Sequence, residues 1–240
     1  PDQVNRAVML RFGTLPAYVE PSILESAKWA RQFARSKSSH GGGERQVVLI
    51  EILVLVGMAL FVLVYRLSLP RIKGAIGENV VANRLRRLPD DQYKVLSDVR
   101  LRTARGSSQI DHVVVSTSGI FVIETKHYSG WIHGNETSEY WTQTIYSSRN
   151  RFRNPVKQNW SHIYALKEVL SGFGDLPYHP IVVFAGRAEL KNVNTTTPVI
   201  YKSQLLETVS NRSETPKMTT EQMTRIASRI NELSLADWQT

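Results

Sequence analysis

The sequence contains no cysteine among its 240 residues, which excludes disulfides, cysteine zinc sites, iron–sulfur clusters and thiol nucleophiles. It also lacks a P-loop, a nucleophile elbow and an HExxH zinc motif. Acidic residues are comparatively few: 30 Lys and Arg stand against 21 Asp and Glu, giving a formal net charge of +9. With 42% hydrophobic residues, the chain is too apolar for a disordered polyelectrolyte and can bury a core.

One long apolar run stands out near the start of the chain. Val47–Tyr65 holds 19 residues, and Glu51 is the only charged one. As a helix it would be about 28 Å long, close to the ~30 Å hydrocarbon thickness of a bilayer. A buried core helix is the alternative, but the length, the apolar circumference and the basic flanks favour a membrane span. We therefore predict a transmembrane helix at residues 44–66, whose orientation the nearly equal flanking charges do not set.

The remaining chain divides around this run. Residues 1–43 are predicted as a basic segment that holds a short helix at 22–35 and a Gly/Ser linker at 38–43. Residues 67–73 are predicted as a second linker. Residues 74–240 then carry interleaved helix-period and strand-period segments, so we predict a separate α/β domain there.

Helical and strand patterns alternate along this domain. The predicted helices are 76–88, 154–170, 203–209 and one that begins near residue 219, and the predicted strands are 93–101, 109–116, 119–125, short strands within 131–145, then 180–185 and 199–201. The two runs at 109–116 and 119–125 are separated by so short a turn that they predict a β-hairpin.

Three charged residues lie at the open end of this otherwise apolar hairpin: Asp111, Glu124 and Lys126. A two-residue turn at 118–119 would place Asp111 opposite Lys126, and a turn at 117–118 would place it opposite Glu124. Either two-residue turn leaves the three side chains on one face of the ribbon and within reach of one another. A three-residue loop would break this arrangement unless a bulge compensates.

Two carboxylates held close together raise a pKa or require a cation. Lys126 can offset only one of them, so a divalent metal is the natural partner. An oxygen ligand set without His or Cys suits Mg²⁺ or Mn²⁺. Such an ion can activate water against a phosphodiester, and the lysine can position or deprotonate that water or neutralise the developing oxyanion.

Asp111 followed by Glu124-Thr125-Lys126 resembles the PD-(D/E)XK nuclease signature, and the surrounding sequence resembles the nuclease-related domain (NERD) family. The likeness is strongest over residues 74–186. The segments that carry it are Gly74–Glu78, Gln109–His112, Gly119–Lys126, Gly130–Gly134, Trp141–Gln143 and Asn154–Gln158.

This resemblance implies a restriction-endonuclease-like mixed sheet flanked by helices. It implies that Asp111 and Glu124 bind the metal and that Lys126 is the catalytic lysine. It adds Glu78 as a further acidic ligand or a group behind the ligands, and Gln158 as a support for the site.

Two of these implied residues have simpler explanations. An acidic residue such as Glu78 is also favoured in the first turn of a helix by the helix dipole. Gln158 could serve only to satisfy buried backbone groups. His162 would lie one turn after Gln158 on the same helix face.

A second cluster suggests contact with nucleic acid. Cations precede the second long helix of the domain, close in sequence to Trp131, Tyr140 and Trp141, so that phosphates could meet the cations while an aromatic ring stacks on a base. A basic surface loop without a ligand is the alternative. The predicted nucleic-acid-binding residues are Arg149, Arg151, Arg153 and Lys157.

Two functions of different classes follow. The first is a single-pass, membrane-anchored nuclease that uses Mg²⁺ or Mn²⁺ to hydrolyse DNA, with its catalytic domain in the cytoplasm. The second is a non-cleaving scaffold that holds DNA or a protein at the lipid bilayer on a nuclease-like fold. The sequence does not discriminate DNA from RNA.

Overall fold

The computed structural model describes residues 28, 32, 43–104, 106–212 and 216–236. The chain divides into two compact units, residues 1–69 and 70–240. The predicted helix at 22–35 and linker at 38–43 lie outside the described residues, apart from positions 28, 32 and 43. The described elements are α1 (Gly43–Leu85), β1 (Tyr93–Thr103), β2 (Gly106–Ser116), β3 (Gly119–Lys126), β4 (Ser129–Asn135), β5 (Tyr140–Ile145), β6 (Ser148–Arg153), α2 (Pro155–Val169), β7 (Tyr178–Phe184), β8 (Arg187–Asn194), β9 (Val199–Tyr201), α3 (Leu205–Asn211) and α4 (Thr220–Ala236), with 3₁₀ turns at Ser171–Phe173 and Lys202–Gln204.

Helix α1 contains the apolar run. Its segment Val48–Tyr65 has a mean hydropathy of 2.8, and none of it is buried inside the structure. By length and composition this helix could cross a membrane. As described, α1 extends to Leu85 and so includes residues 67–73, the predicted linker; the domain boundaries stay predictions.

The strands form two mixed sheets, which confirms the predicted α/β class. The five-stranded sheet has the order β1-β2-β3-β7-β9, and the four-stranded sheet has the order β6-β5-β4-β8. Strands β3 and β7 pair in parallel in the first sheet, and β4 and β8, which follow them in the chain, pair in parallel in the second. Helix α2 lies in the crossover between the two members of each of these two pairs, and β7 also pairs in parallel with β9.

Helices cover both faces of the five-stranded sheet. On one face, α2 and α4 pack against β1, β2 and β3; fully buried examples are Ile163, Ile226, Val113 and Val122. On the other face, the C-terminal part of α1 and helix α3 pack through Val81, Leu85, Leu205 and Val209. Alternation along β3 therefore sends even-numbered residues toward α2 and odd-numbered residues toward α1.

The four-stranded sheet buries one face only. Ile132, Trp141 and Ala188 pack there against Val156 at the start of α2 and against Phe184 of β7. The sequence patterns did not indicate β6, β8 or a second sheet. Strand β6 offers only Phe152 to this core, so its sequence has almost no apolar alternation, and residues 149–153 form a strand where a basic loop was expected.

Candidate active site

The β2–β3 hairpin takes the second of the two predicted registers. Ser116 pairs with Gly119, so residues 117–118 form the turn, and His112 pairs with Ile123. Extending this register one step places Asp111 opposite Glu124. The Asp111 carboxylate contacts the partner strand directly, since its Oδ2 accepts a hydrogen bond of 2.7 Å from the backbone N–H of Thr125.

The strands are irregular where Asp111 lies. Val113 and Ile110 both face the α2 side, although regular alternation would send them to opposite faces. Opposite this point on β1, Asp98 has a φ of 52°, and the pairing between β1 and β2 skips Asp98 and Asp111 while continuing on both sides of them. The position of Asp111 is therefore set by a local break in the ladder and by its bond to Thr125.

Glu124 is the most buried charged group of the cluster, with 2% of its surface exposed. Its Oε1 accepts a hydrogen bond of 2.6 Å from Lys126 Nζ, and its Oε2 lies 3.2 Å from His162 Nε2. Burial alone would raise the pKa of Glu124, but the hydrogen bond from His162 and the ammonium of Lys126 outweigh it and hold that pKa below its usual value. Glu124 is thus kept as a carboxylate.

Lys126 is fixed from two sides. Besides Glu124, its Nζ donates to Gln158 Oε1 at 3.1 Å. Burial by itself would lower the pKa of Lys126. The neighbouring carboxylate of Glu124 raises that pKa by more than burial lowers it, so the pKa lies above its usual value. Lys126 is therefore an ammonium in this arrangement, suited to neutralising or positioning a charged group.

Asp111 has a less favourable environment. Burial, followed by repulsion from Glu124, raises its pKa to about 7, and the hydrogen bond from Thr125 only partly opposes this. Among the described residues, its second oxygen has no hydrogen-bond partner.

Glu78 of α1 lies near enough to interact electrostatically with this cluster. Burial, then repulsion from Asp98 and Glu124, raises its pKa. The preceding glycine explains the close packing, because a Cβ at Gly77 would come within 2.6 Å of the His127 side chain just beyond β3. The structure thus brings all five predicted site residues together. Hydrogen bonds link Glu124, Lys126 and Gln158. Asp111 and Glu78 are close enough to interact electrostatically with Glu124 and Lys126.

Helix α2 carries Gln158 and His162 and is anchored firmly. Asn154 caps it by accepting from the backbone N–H of Val156, and its own amide donates to three carbonyls in the loop 135–138. One turn into the helix, the amide of the fully buried Asn159 donates to carbonyls of both β3 and β7. These bonds fix the register of α2 over the parallel strands.

Two residues that support the site were not predicted. Asn159 sets the helix position, and Ser108 on β2 lies 2.8 Å from His162 Nδ1. A neutral His162 can accept from Ser108 and donate to Glu124 at the same time. Asn159 could have been considered because it directly follows the predicted site residue Gln158. Nothing in the sequence around Ser108 indicates its contact with His162.

The donor set fits a hard divalent ion that keeps part of its water shell. Among the described residues there is no group of three or more His, Cys, Asp or Glu side chains that could hold a metal. Mg²⁺, however, is commonly bound by one or two carboxylates together with substrate phosphate and water. Asp111 and Glu124 supply two such carboxylates, and the charge of Asp111, which its neighbours compensate only in part, is of the sign that a cation would relieve.

The predicted nucleic-acid-binding residues separate into two places. Arg149, Arg151 and Arg153 alternate along β6 and are exposed. Lys157 lies on α2, where it pairs with Glu139 at 3.1 Å. Among the aromatic residues considered with them, Trp141 is fully buried and cannot stack on a base, which corrects that part of the expectation.

Comparison with known proteins finds a matching family and a relative. A family model described as the nuclease-related domain matches residues 73–185. An uncharacterised protein of Bacillus anthracis is 31% identical over 196 residues, which span 80% of this chain and 91% of that protein. No solved structure matches the chain.

Proposed function

Because the chain belongs to the nuclease-related domain family, we propose that it is a membrane-anchored nuclease that hydrolyses DNA phosphodiester bonds with the aid of Mg²⁺ or Mn²⁺. The observation that carries the proposal is the position of the Lys126 ammonium. It is held 2.6 Å from Glu124 and 3.1 Å from Gln158, beside the carboxylate of Asp111.

Asp111 and Glu124 are the residues that would hold the divalent ion. Once bound, that ion supplies Lewis-acid stabilisation of the charge on the phosphate and makes water a better nucleophile. The chain's own groups hold the two carboxylates in place before the ion binds. His162 keeps Glu124 ionised, and the N–H of Thr125 fixes one oxygen of Asp111.

Lys126 performs the second task. As a half-buried ammonium, it can neutralise negative charge that develops on a phosphate oxygen or orient the attacking water by donating to it. Gln158 restricts its rotation, so the lysine enters the reaction already positioned. Its raised pKa favours these electrostatic roles over proton abstraction.

The apolar segment of α1 would serve as the anchor. DNA access favours placing the nuclease-like domain in the cytoplasm, and proteolysis of sealed and opened cells would test this orientation. Protection of the domain in sealed cells is expected; cleavage in intact cells would contradict it.

Activity is tested with the full chain in detergent, using supercoiled DNA with Mg²⁺, Mn²⁺ or EDTA. Asp111→Asn and Lys126→Met are each expected to lower cleavage by at least about 10²-fold, the usual effect of removing one charge-stabilising group. Asp91→Asn makes the same chemical change as Asp111→Asn at an exposed position and should leave the rate unchanged.

Circular dichroism of each variant confirms folding. Cleavage that survives both substitutions, or that continues in EDTA, would refute the assignment. DNA retention that survives Asp111→Asn without product in either metal would instead indicate the non-cleaving scaffold.

A further inference from the structure

The four-stranded sheet leaves one face open. Side chains that point inward, such as Ile132 and Trp141, are fully buried, whereas their neighbours on the other face are not. Trp131 on β4 is 50% exposed and Tyr140 on β5 is 45% exposed. Both rings therefore lie on the surface of strands that are interior to the sheet.

The same face is strongly cationic. The pairing of Tyr140 with Arg153 and of Ser129 with Arg187 places both edge strands' cations on the side of the two rings. On the four strands, Glu189 is the one acidic residue of this face, and it pairs with Lys191 at 2.8 Å. We call this surface the outer sheet face, and its defining residues are Trp131, Tyr140, Arg149, Arg151, Arg153, Arg187 and Lys191.

Cations and rings are already in contact across the strands. The Arg151 guanidinium lies 4.6 Å from the centre of the Tyr140 ring, and Lys191 Nζ lies 5.5 Å from the centre of the Trp131 ring. Cations on edge strands also discourage unwanted strand pairing. That role does not account for an exposed tryptophan and tyrosine on the two inner strands, so the face needs a second explanation.

We propose that the outer sheet face binds single-stranded nucleic acid, with unpaired bases stacked on Trp131 and Tyr140 and phosphates held by the arginines of β6. The inference rests on the proposed nuclease function, for which it names the form of the substrate. Aromatic rings beside cations bind single strands without sequence preference, because every base has a stacking face. In a duplex those faces are occupied by neighbouring base pairs.

The spacing of the charged groups suits this ligand. Alternate residues on a strand are about 6.6 Å apart, so Arg149, Arg151 and Arg153 form a row with a separation that phosphates of an extended strand can follow. The outer sheet face also begins close to the candidate active site. Ser129, the first residue of β4, is three residues from Lys126 and thus within about 10 Å along the chain.

A membrane surface is the other anionic partner with similar phosphate chemistry. Surface binding to lipid normally requires apolar side chains that enter the acyl region. Between the two rings, the outer sheet face presents His133, Thr142 and Thr144 instead. The composition therefore favours a nucleic acid over a bilayer.

Binding is measured with the full chain in phosphatidylcholine nanodiscs with EDTA, so that no cleavage occurs. The probes are a fluorescent 20-nucleotide single strand of mixed sequence and the matching duplex, followed by anisotropy. Trp131→Ala/Tyr140→Ala is expected to weaken single-strand binding by at least about fivefold per ring, and Trp131→Phe/Tyr140→Phe should restore most of it.

Charge is tested by salt dependence. Arg149→Gln/Arg151→Gln should lower the slope of log affinity against log salt by about 1.4, or ~0.7 per cation. Arg225→Gln/Arg229→Gln removes two exposed cations from α4 and should leave the slope unchanged.

The outcomes separate this inference from the proposed nuclease function. Single-strand binding that is unaffected by the double alanine variant overturns the inference, even if cleavage still depends on Asp111. Ring-dependent binding without any cleavage supports the inference while the nuclease proposal fails. If the double alanine variant loses as much affinity for the duplex as for the single strand, the inference is overturned in favour of duplex DNA. If the variant keeps its affinity for the single strand and loses only its association with phosphatidylserine vesicles, measured by flotation, the inference is overturned in favour of lipid.

Discussion

Asp111 offers a direct test of the electrostatics of the site, because its pKa rises from 3.8 to about 7. Asp111→Asn removes the titrating group but keeps an oxygen that can accept from the N–H of Thr125. In the absence of metal, the folded chain binds this proton more tightly than the unfolded chain does. The stabilisation that comes from the proton on Asp111 is therefore complete below about pH 3.8 and is lost as the pH rises through about 7.

The size of the effect follows from the difference in pKa. At about pH 8 this difference in pKa lowers the free energy of unfolding by at most ~4 kcal/mol relative to a neutral side chain. Near pH 5, where Asp111 ionises in the unfolded chain but stays protonated in the folded one, it does so by about 2 kcal/mol. For a domain of this size, each kcal/mol corresponds to roughly 2–4 °C in Tm. Asp111→Asn should thus raise Tm clearly at pH 8 and much less at pH 5.

Thermal unfolding of the full chain in detergent with EDTA, followed by intrinsic fluorescence, provides the assay, with Asp91→Asn as the control. Adding Mg²⁺ at pH 8 should raise the Tm of the unmodified chain and leave that of Asp111→Asn nearly unchanged, because only the former offers both carboxylates. An equal gain in Tm from Asp111→Asn at both pH values, or no gain at pH 8, would refute the view that Asp111 is a part-buried carboxylate whose charge is only partly compensated.

Three further outcomes test the fold. Gly134→Ala should destabilise the protein by roughly 1–3 kcal/mol in urea unfolding, because a Cβ there would overlap the buried ring of Trp141. In the control Gly172→Ala, the added Cβ meets nothing within 4 Å and stability should change little. Equal losses of stability in the two variants would contradict the packing of Gly134 against Trp141. Asn154→Ala should lower stability by at least about 2 kcal/mol, since it removes the cap of α2 and leaves loop carbonyls unpaired; a loss below ~0.5 kcal/mol would be inconsistent with those bonds. Deleting residues 48–65 should move the chain from the carbonate-resistant membrane pellet to the soluble fraction, and a full chain that carbonate already releases would argue against an anchor.

The parts of the candidate site that sequence could predict are those set by strand periodicity and by family resemblance. Two-residue alternation places Glu124 and Lys126 on one face of β3, and the structure has both facing α2. The choice between a turn at 117–118 and one at 118–119 could not be made from sequence, because both place Asp111 on the same face of the hairpin as Glu124 and Lys126. The exact position of Asp111 could not be predicted, because its strand departs from regular alternation beside Asp98 and no residue pattern indicates such a break.

Long-range partners were the other obstacle. Ser108 reaches His162 across 54 positions in the chain, and the amide of Asn159 reaches carbonyls of two different strands. Such contacts depend on the three-dimensional path of the chain rather than on local composition. Strand β6 was missed for the opposite reason, because its side chains point mainly to solvent and carry charge instead of an apolar rhythm.

The parallel pairing of β3 with β7 has a consequence for synthesis of the protein. Ile120 and Tyr178, which are partners in this ladder, are separated by 58 positions, so the pairing has high contact order and forms slowly. The β2–β3 hairpin can form as soon as it leaves the ribosome, but one edge of β3 then lacks its partner strand, and this edge is apolar over residues 120–123. Until residue 184 has emerged, this edge is open to pairing with other strands, so the nascent chain is most exposed to aggregation in that interval.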